Sequence, residues 1–329
     1  MITLEVLVTG GAGFIGSNLV RSLTASGHSV RILDNLTTGT MANLKDAGAD
    51  TRVIIGDIRN PSFVEEAVAG VEAVYHLAAL PSVARSIRDP IACNAVNSTG
   101  TLNVLVAARD HGVRRVVYAS SSSVYGDSVS LPKHEDMVTA PRSPYAASKL
   151  AGESMCRAFT RSFGLETVAL RFFNVFGPRQ DPKSEYAAVI PKFIKALLKG
   201  KAPEVHGDGT QTRDFTYVGN VVQACLLAES APSEATGEVF NVGCAERYSL
   251  LELLRAIGDL VGCYVEPTFT EPRTGDVKHS LASIEKAAQL LGYVPVADLH
   301  QGLEQTVAWF AAGAAEPTIT KELAGRHVA

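Results

Sequence analysis

The chain predicts a doubly wound α/β fold, a parallel sheet covered by helices on both faces, with a smaller second α/β domain behind it. Three observations predict it. Short apolar runs alternate with amphipathic stretches through the first half, a glycine-rich turn joins the first run to the first amphipathic stretch, and after Asn174 the alternation gives way to a Pro/Gly loop and shorter, irregular segments. Near-continuous apolar strands are those buried on both faces of a parallel sheet, and the helices supply the crossovers that parallel pairing requires.

Leu4–Thr9, Ser29–Asp34, Arg52–Gly56, Ala73–Leu77, Val116–Ser120 and Thr167–Arg171 read as strands. Ile15–Ser26, Ser62–Ala69, Ala92–His111 and Ala146–Phe163 read as the helices between them. The loop Gly177-Pro178-Arg179-Gln180-Asp181-Pro182 marks the change of pattern, and Phe240–Val242 reads as a strand that returns to the sheet. The expected division is therefore 1–175 with a returning segment at about 215–243, against 176–214 with 244–329.

Bulk properties exclude several classes. With 329 residues and 46% hydrophobic content the chain can fill one large or two ordinary cores. A net charge of −4 and a pI near 6.1 leave no electrostatic footprint for nucleic acid or an anionic membrane. The five cysteines are scattered without a CxxC pair, which suits reduced thiols. The eight histidines form no HxxxH or HExxH cluster, so no metal is expected. With no leader before the first strand and no apolar window of membrane-spanning length, a cytoplasmic protein is expected.

The first strand ends in Thr9-Gly10-Gly11-Ala12-Gly13-Phe14-Ile15-Gly16, and a helix follows at once. The spacing fits GxGxxG at Gly11, Gly13 and Gly16, and equally GxxGxxG at Gly10, Gly13 and Gly16. Residues without Cβ let the backbone turn tightly and approach a pyrophosphate whose charge sits on the helix N-terminus. Asp34 closes the second strand, where a carboxylate accepts from ribose hydroxyls and repels a 2′-phosphate. The pair predicts NAD rather than NADP. The plainer reading of Asp34 is a cap for the turn Asn35-Leu36-Thr37.

Tyr145 and Lys149 stand four apart, on one face of a helix. A free tyrosine, with a pKa near 10, is a poor base at neutral pH, and a nearby ammonium favours its phenolate. Upstream, Ser120-Ser121-Ser122-Ser123 runs off a strand end, where ligands of open α/β sheets bind. A hydroxyl there can share a substrate oxygen with Tyr145, although four serines can also be a capping loop.

Gly10–Gly16, Asp57-Ile58, His76-Leu77-Ala78-Ala79, Ser120–Gly126, Tyr145–Lys149 and Arg171-Phe172-Phe173-Asn174 together resemble the extended short-chain dehydrogenase/reductase family. Within it, Asp34-Asn35-Leu36 and Arg213-Asp214-Phe215 resemble the nucleoside-diphosphate-sugar 4-epimerases. The runs Phe173–Pro182, Tyr186–Lys192 and Gly275–Ala282 are most similar to the UDP-N-acetylglucosamine 4-epimerase branch.

The resemblance implies a UDP-sugar substrate and a residue-by-residue set of roles. Tyr145 would take the sugar 4-OH proton while a hydride leaves C4 for NAD, Ser121 would share that oxygen, and Lys149 would hold the nicotinamide ribose. The 4-keto sugar would turn over and take the hydride back on its other face, so that NAD is regenerated. Phe14, Ile15, Asn35, Thr38 and Gly39 would join the glycines and Asp34 around the dinucleotide. Asp57 and Ile58 would flank adenine, and Leu77, Ala78, Ala79, Asn97 and Phe173 would line its groove. Ser82, Ser122, Ser123 and Asn174 would line the sugar pocket. Ala188, Val189, Val205 and Asp276 would contact the nucleotide sugar, and Arg213 and Arg273 would grip its diphosphate. Ser280, small where glucose-restricted relatives carry tyrosine, would leave room for an N-acetyl group, or else simply cap a helix at Ser283–Leu291.

The resemblance also implies a homodimer, paired through a four-helix bundle built from Ala92–His111 and Ala146–Phe163. Where relatives carry a small residue or lysine after the His-Leu-Ala-Ala-Leu run, this chain has Pro81-Ser82, and proline has no N–H to donate. A 4,6-dehydratase would need an acid and a base where Ser122-Ser123 stand, and a UDP-glucuronate 4-epimerase often has threonine at Asn174. Non-catalytic NAD-binding members tend to lose the Tyr/Lys pair that this chain keeps.

Overall fold

The computed structural model describes residues 3–181, 189–271 and 278–315. The chain runs β1 (Glu5–Thr9), α1 (Phe14–Ala25), β2 (Ser29–Asp34), β3 (Thr51–Ile55), α2 (Pro61–Val68), β4 (Ala73–His76), α3 (Val83–Arg88), α4 (Pro90–Asn94) and α5 (Gly100–Asp110). It continues through β5 (Arg115–Ser121), α6 (Pro144–Phe163), β6 (Glu166–Phe172), β7 (Asn174–Phe176), α7 (Val189–Leu197), β8 (Glu204–His206), β9 (Thr212–Arg213) and β10 (Phe215–Tyr217). The remaining elements are α8 (Val218–Glu229), β11 (Val239–Val242), β12 (Tyr248–Ser249), α9 (Leu250–Val261), β13 (Thr268–Thr270), α10 (Glu285–Leu291) and α11 (Leu299–Ala315).

Seven strands form one parallel sheet in the order β11-β6-β5-β4-β1-β2-β3. All strands run parallel, but the order in which they are added to the sheet changes side between β1 and β4, so a crevice opens at the carboxyl ends of those strands. Alternate residues feed the two faces. Val6, Val8, Ile32, Tyr75 and Val117 pack with Leu19 and Leu23 of α1 and Ala224 of α8, whereas Leu7, Leu33, Val74, Val116 and Tyr118 pack with Val64, Val104 and Phe159 of α2, α5 and α6. Each such fully buried aliphatic contributes about 1.5–3 kcal/mol relative to exposure. A further core, Phe176, Ile190, Phe193, Leu197, Phe215, Leu254, Ile257 and Leu303, lies among β7, α7, β10, α9 and α11.

The expected strands match to within a residue or two, and β11 takes the sheet edge beside β6. The helix expected over Ala92–His111 is instead α4, a π-helical turn over Ala95–Thr99, and α5. Asp89 accepts from the Ala92 amide and Pro90 occupies the first turn, which starts the helix early. The widened turn carries Asn97, whose side chain is tied to the chain at Leu80 and to Ser148 of α6. Helix α6 likewise starts at Pro144, capped by Ser143, which accepts from the Ala146 amide at 3.1 Å. Among the described residues no helix is long and apolar enough to cross a membrane, and no group of three His, Cys, Asp or Glu side chains could hold a metal ion.

Candidate functional site

The turn between β1 and α1 is closed by contacts that only glycine permits. Gly10 has φ +72°, and a Cβ on it would lie 2.8 Å from the Ala78 amide nitrogen; a Cβ on Gly16 would lie 2.1 Å from the Gly10 carbonyl oxygen. Gly13 caps α1 with no side-chain acceptor, and the first turn holds no acidic residue, so its amides remain available to an anion. Phe14 and Ile15 anchor that turn by packing on the core around Phe176 and Phe193. The absent Cβ atoms and the open helix terminus fit a pyrophosphate.

Asp34 serves this loop directly. One oxygen accepts from the Ala12 amide at 2.9 Å and the other from the Leu36 amide at 2.8 Å, so the turn-capping reading of its carboxylate is part of the structure. Gly39 closes against the Ala12 backbone, with Thr38 exposed beside it. Asn35 donates to Asp57, which a forked pair with Arg59 holds well below the usual carboxylate range. Ile58 is buried beneath Gly100. Across the switch point the Leu77 and Ala78 amides donate to Thr9, and Leu77, Ala78 and Ala79 are half-buried. Asn97 accepts from the Leu80 amide at 2.8 Å and donates to Ser148 at 3.1 Å. Phe173 is buried, with its amide on Val242.

The carboxyl end of β5 and the first turns of α6 bring Ser121, Tyr145 and Lys149 together. Burial pushes the Tyr145 phenol up to about 12, and a hydrogen bond with Ser121 opposes that shift only in part. The Lys149 ammonium donates to the Ala119 carbonyl at 2.8 Å and lies 5.2 Å from the Tyr118 ring centroid. Burial pulls it down to about 8. Ser121 also caps the 3₁₀ turn Ser122–Tyr125, accepting from the Ser123 amide and hydroxyl. The capping role foreseen for the serines and proximity to Tyr145 therefore coexist.

Behind these residues lie His76 and Arg171, which the motifs contain without a stated role, and Glu153, which no motif singled out. His76 bridges Thr9 and Thr101 at 2.7 and 2.9 Å, and its burial pulls it down to about 3, which keeps the ring neutral. Glu153 of α6 pairs with Arg171 of β6 through two hydrogen bonds of 2.9 and 2.7 Å. The available signal was position: Glu153 continues the four-residue spacing of Tyr145 and Lys149, and Arg171 is a charged residue within the apolar run of β6.

On the other side of the crevice a cavity of about 370 Å³ is lined by Asn174, Val189, Lys192, His206, Gln211, Arg213 and Phe215, among others. A larger hollow, about 600 Å³ between α1 and α8, touches none of the expected site residues. Arg213 donates to the carbonyls of Thr212 and Lys278, and Asn174 to that of Asp214. Asp214 is fully buried and accepts from the amides of Cys244, Ala245 and Ala282; burial pushes it up to about 6. Val205 is 1% exposed, and its side chain belongs to the core around Phe193 rather than to the cavity lining. Ser82 caps α3 by accepting from the Arg85 amide. The Ser280 amide donates to the Thr212 carbonyl, and α10 begins beyond it with no side-chain cap, so Ser280 does not serve as one. Ala188, Arg273 and Asp276 lie outside the described residues.

Residues 6–243 match the model of the NAD dependent epimerase/dehydratase family. The chain is 40% identical over 306–314 residues to curated relatives that include the UDP-glucose 4-epimerase of Mycolicibacterium smegmatis, an alignment covering 93% of this chain and 98% of that protein. Its fold matches the UDP-N-acetylglucosamine 4-epimerase of Methanobrevibacter ruminantium, solved with UDP-N-acetylmuramic acid, with a TM-score of 0.91 and 38% identity over 95% of this chain and 100% of the other. It also matches the UDP-glucuronic acid 4-epimerase of Bacillus cereus, solved with UDP-glucuronic acid and NAD, with a TM-score of 0.87 and 33% identity over 94% and 99% of the two chains.

Proposed function

Because this chain belongs to the NAD dependent epimerase/dehydratase family, we propose that it is a UDP-sugar 4-epimerase that inverts C4 of a UDP-hexose through a transient 4-keto sugar. The observation that carries this reading is the grouping of Tyr145, Ser121 and Lys149 at the carboxyl end of β5, at the same end of the sheet as the glycine turn after β1.

Bound NAD supplies the acceptor and donor of the C4 hydride. The rest falls to side chains. Tyr145 removes the proton from the sugar 4-oxygen and returns it, and Ser121 shares that oxygen by hydrogen bond. Lys149 holds the nicotinamide ribose and adds positive charge near the phenol. The α1 amides and the glycine turn hold the pyrophosphate, with Asp34 on the adenine ribose. Arg213 and Asn174 hold the diphosphate and sugar at the mouth of the 370 Å³ cavity, which takes the nucleoside. Residues 176–214 and 244–329 are read as the substrate domain, supported by the core around Phe193 and Leu254, although Phe215 and Tyr217 join that core and Ala287, Leu291 and Tyr293 pack with the sheet. Ser122 and Ser123 offer no carboxyl group for the elimination that a dehydratase performs.

The sugars are read as UDP-GlcNAc/UDP-GalNAc together with UDP-Glc/UDP-Gal. Ser280 supports this, since a small, uncommitted side chain permits the acetamido group without demanding it. Incubation of the protein with UDP-GlcNAc, UDP-glucose and UDP-glucuronate, with products resolved by NMR, tests the reading. Epimers of the first two are expected, and turnover of UDP-glucuronate alone would replace it with the uronate reading. Ser280→Tyr is expected to suppress the N-acetylated pair by overlap while sparing UDP-Glc/UDP-Gal. Equal loss of both would remove Ser280 from specificity. We also propose a homodimer, supported by the exposure of Ile87 and Ile91 on α3 and α4 and Phe163 on α6. Light scattering is expected to give twice the chain mass, and a monomer at micromolar concentration would exclude it.

A further inference from the structure

Tyr145, Lys149 and Glu153 follow one another at four-residue spacing on α6, so they share a face of that helix. Tyr145 and Lys149 have reacting roles under the epimerase reading, and Glu153 has none. Its carboxylate is nonetheless buried, with both members of the Glu153–Arg171 pair only 5% exposed. The guanidinium grips it in fork geometry, Nε to Oε1 at 2.9 Å and Nη2 to Oε2 at 2.7 Å. The Ser120 hydroxyl donates to the same Oε1.

These partners lie on the strands that meet the site. Ser120 pairs in register with Arg171 across β5 and β6, and the next residue of β5 is Ser121. On its other side the guanidinium stands 4.7 Å from the ring centroid of Tyr125, in the 3₁₀ turn that holds Ser122 and Ser123. Tyr125 is fixed in turn by donating to Asn241 of β11 at 2.7 Å. Helix and strand are close here, since a Cβ on Gly152 would lie 2.1 Å from the Tyr118 hydroxyl.

A buried ion pair is a poor device for stability alone, because desolvation of both charges offsets their attraction and an apolar pair of similar volume often holds a fold as well. What a bidentate pair does provide is a fixed distance and angle between the elements that carry it. We propose that Glu153 and Arg171 are a positioning pair that sets α6, bearing Tyr145 and Lys149, in register with the end of β5, bearing Ser121. This deepens the epimerase reading and rests on it.

The test uses the holoenzyme and a Glu153→Met/Arg171→Met double variant, which removes both charges at no net change and leaves the fold an apolar pair. The expected result is a kcat lower by about 10–100-fold, the loss typical of a small misplacement of reacting groups. NAD content and UDP-sugar KM are expected to stay unchanged. A second readout needs no turnover: the Tyr145 phenolate, followed by ultraviolet difference titration against Tyr145→Phe, is expected to move to higher pH as the Ser121 hydrogen bond is lost. Wild-type kcat, or an unmoved phenolate titration, in the double variant would overturn the proposal, as would loss of NAD or of UDP-sugar binding, which would mark general damage. If the double variant does not fold, Glu153→Gln keeps the side chain's size and its acceptor for Ser120; reduced kcat with intact KM supports the pair, and unchanged kcat overturns it. A wild type that epimerises no UDP-sugar would sink the epimerase reading, while the phenolate titration would still report on the pair.

Discussion

Tyr145→Phe is expected to lower kcat by about 10²–10⁴-fold, the usual worth of a positioned proton carrier, while UDP-sugar binding stays near wild type. The phenyl ring fills the same half-buried space on α6, so the change removes a hydroxyl and little packing. Burial holds that hydroxyl up to about 12, and its Ser121 partner offsets only part of the shift. Positive charge must therefore gather beside it before it can accept a proton at neutral pH. Lys149, one helical turn on along the same face of α6 and pulled down to about 8 by its own burial, is placed to contribute some of that charge. Steady-state kinetics with a binding titration of UDP-sugar check the expectation. Activity within a few-fold of wild type would take Tyr145 out of the mechanism.

Gly16→Ala is expected to strip the protein of its nucleotide. The new Cβ would fall 2.1 Å from the Gly10 carbonyl oxygen and 2.8 Å from the Gly11 Cα, both backbone atoms that cannot swing aside. Relief requires the turn to open or α1 to move away from it, and overpacking of this kind costs about 1–3 kcal/mol. Because the displaced atoms form the pyrophosphate cradle itself, at least about a tenfold loss of NAD affinity is expected, equivalent to about 1.4 kcal/mol. NAD released on denaturation of the purified variant, measured against wild type, gives the answer. A full complement of NAD in the variant would show that the glycine turn does not hold the pyrophosphate.

Much of this was legible in the sequence because the governing interactions are local. The glycine turn, the strand-ending Asp34 and the Tyr145/Lys149 spacing each need only a strand, a turn or one helical period to be recognised. The β-branched runs likewise place the sheet to within a residue or two. What escaped depends on contacts made far along the chain. Asn97 sits in a π-helical turn whose side chain answers to Leu80 and Ser148, so an uninterrupted helical period over Ala92–His111 could not reveal the break. Val205, which the resemblance implies would contact the nucleotide sugar, lies on a strand that pairs with β13 and places its side chain in the core around Phe193. Asp214 stands beside Arg213 in the same motif, but its work, accepting amides from Cys244, Ala245 and Ala282, joins segments that only the fold brings together. The alternative readings of Asp34 and Ser121 as caps were not rivals after all, because the same oxygen atoms that close a turn can face a ligand-binding crevice.

The central claim is that the hydrogen at C4 leaves the sugar as hydride and returns to the same carbon on its other face. UDP-glucose or UDP-GlcNAc carrying deuterium at C4, incubated with the purified protein in ordinary water, tests that directly by NMR and mass spectrometry of the product. The account predicts an inverted C4 that keeps its deuterium, with no nicotinamide nucleotide consumed. Loss of the label to solvent, or inversion that requires NAD in proportion to product, would contradict it.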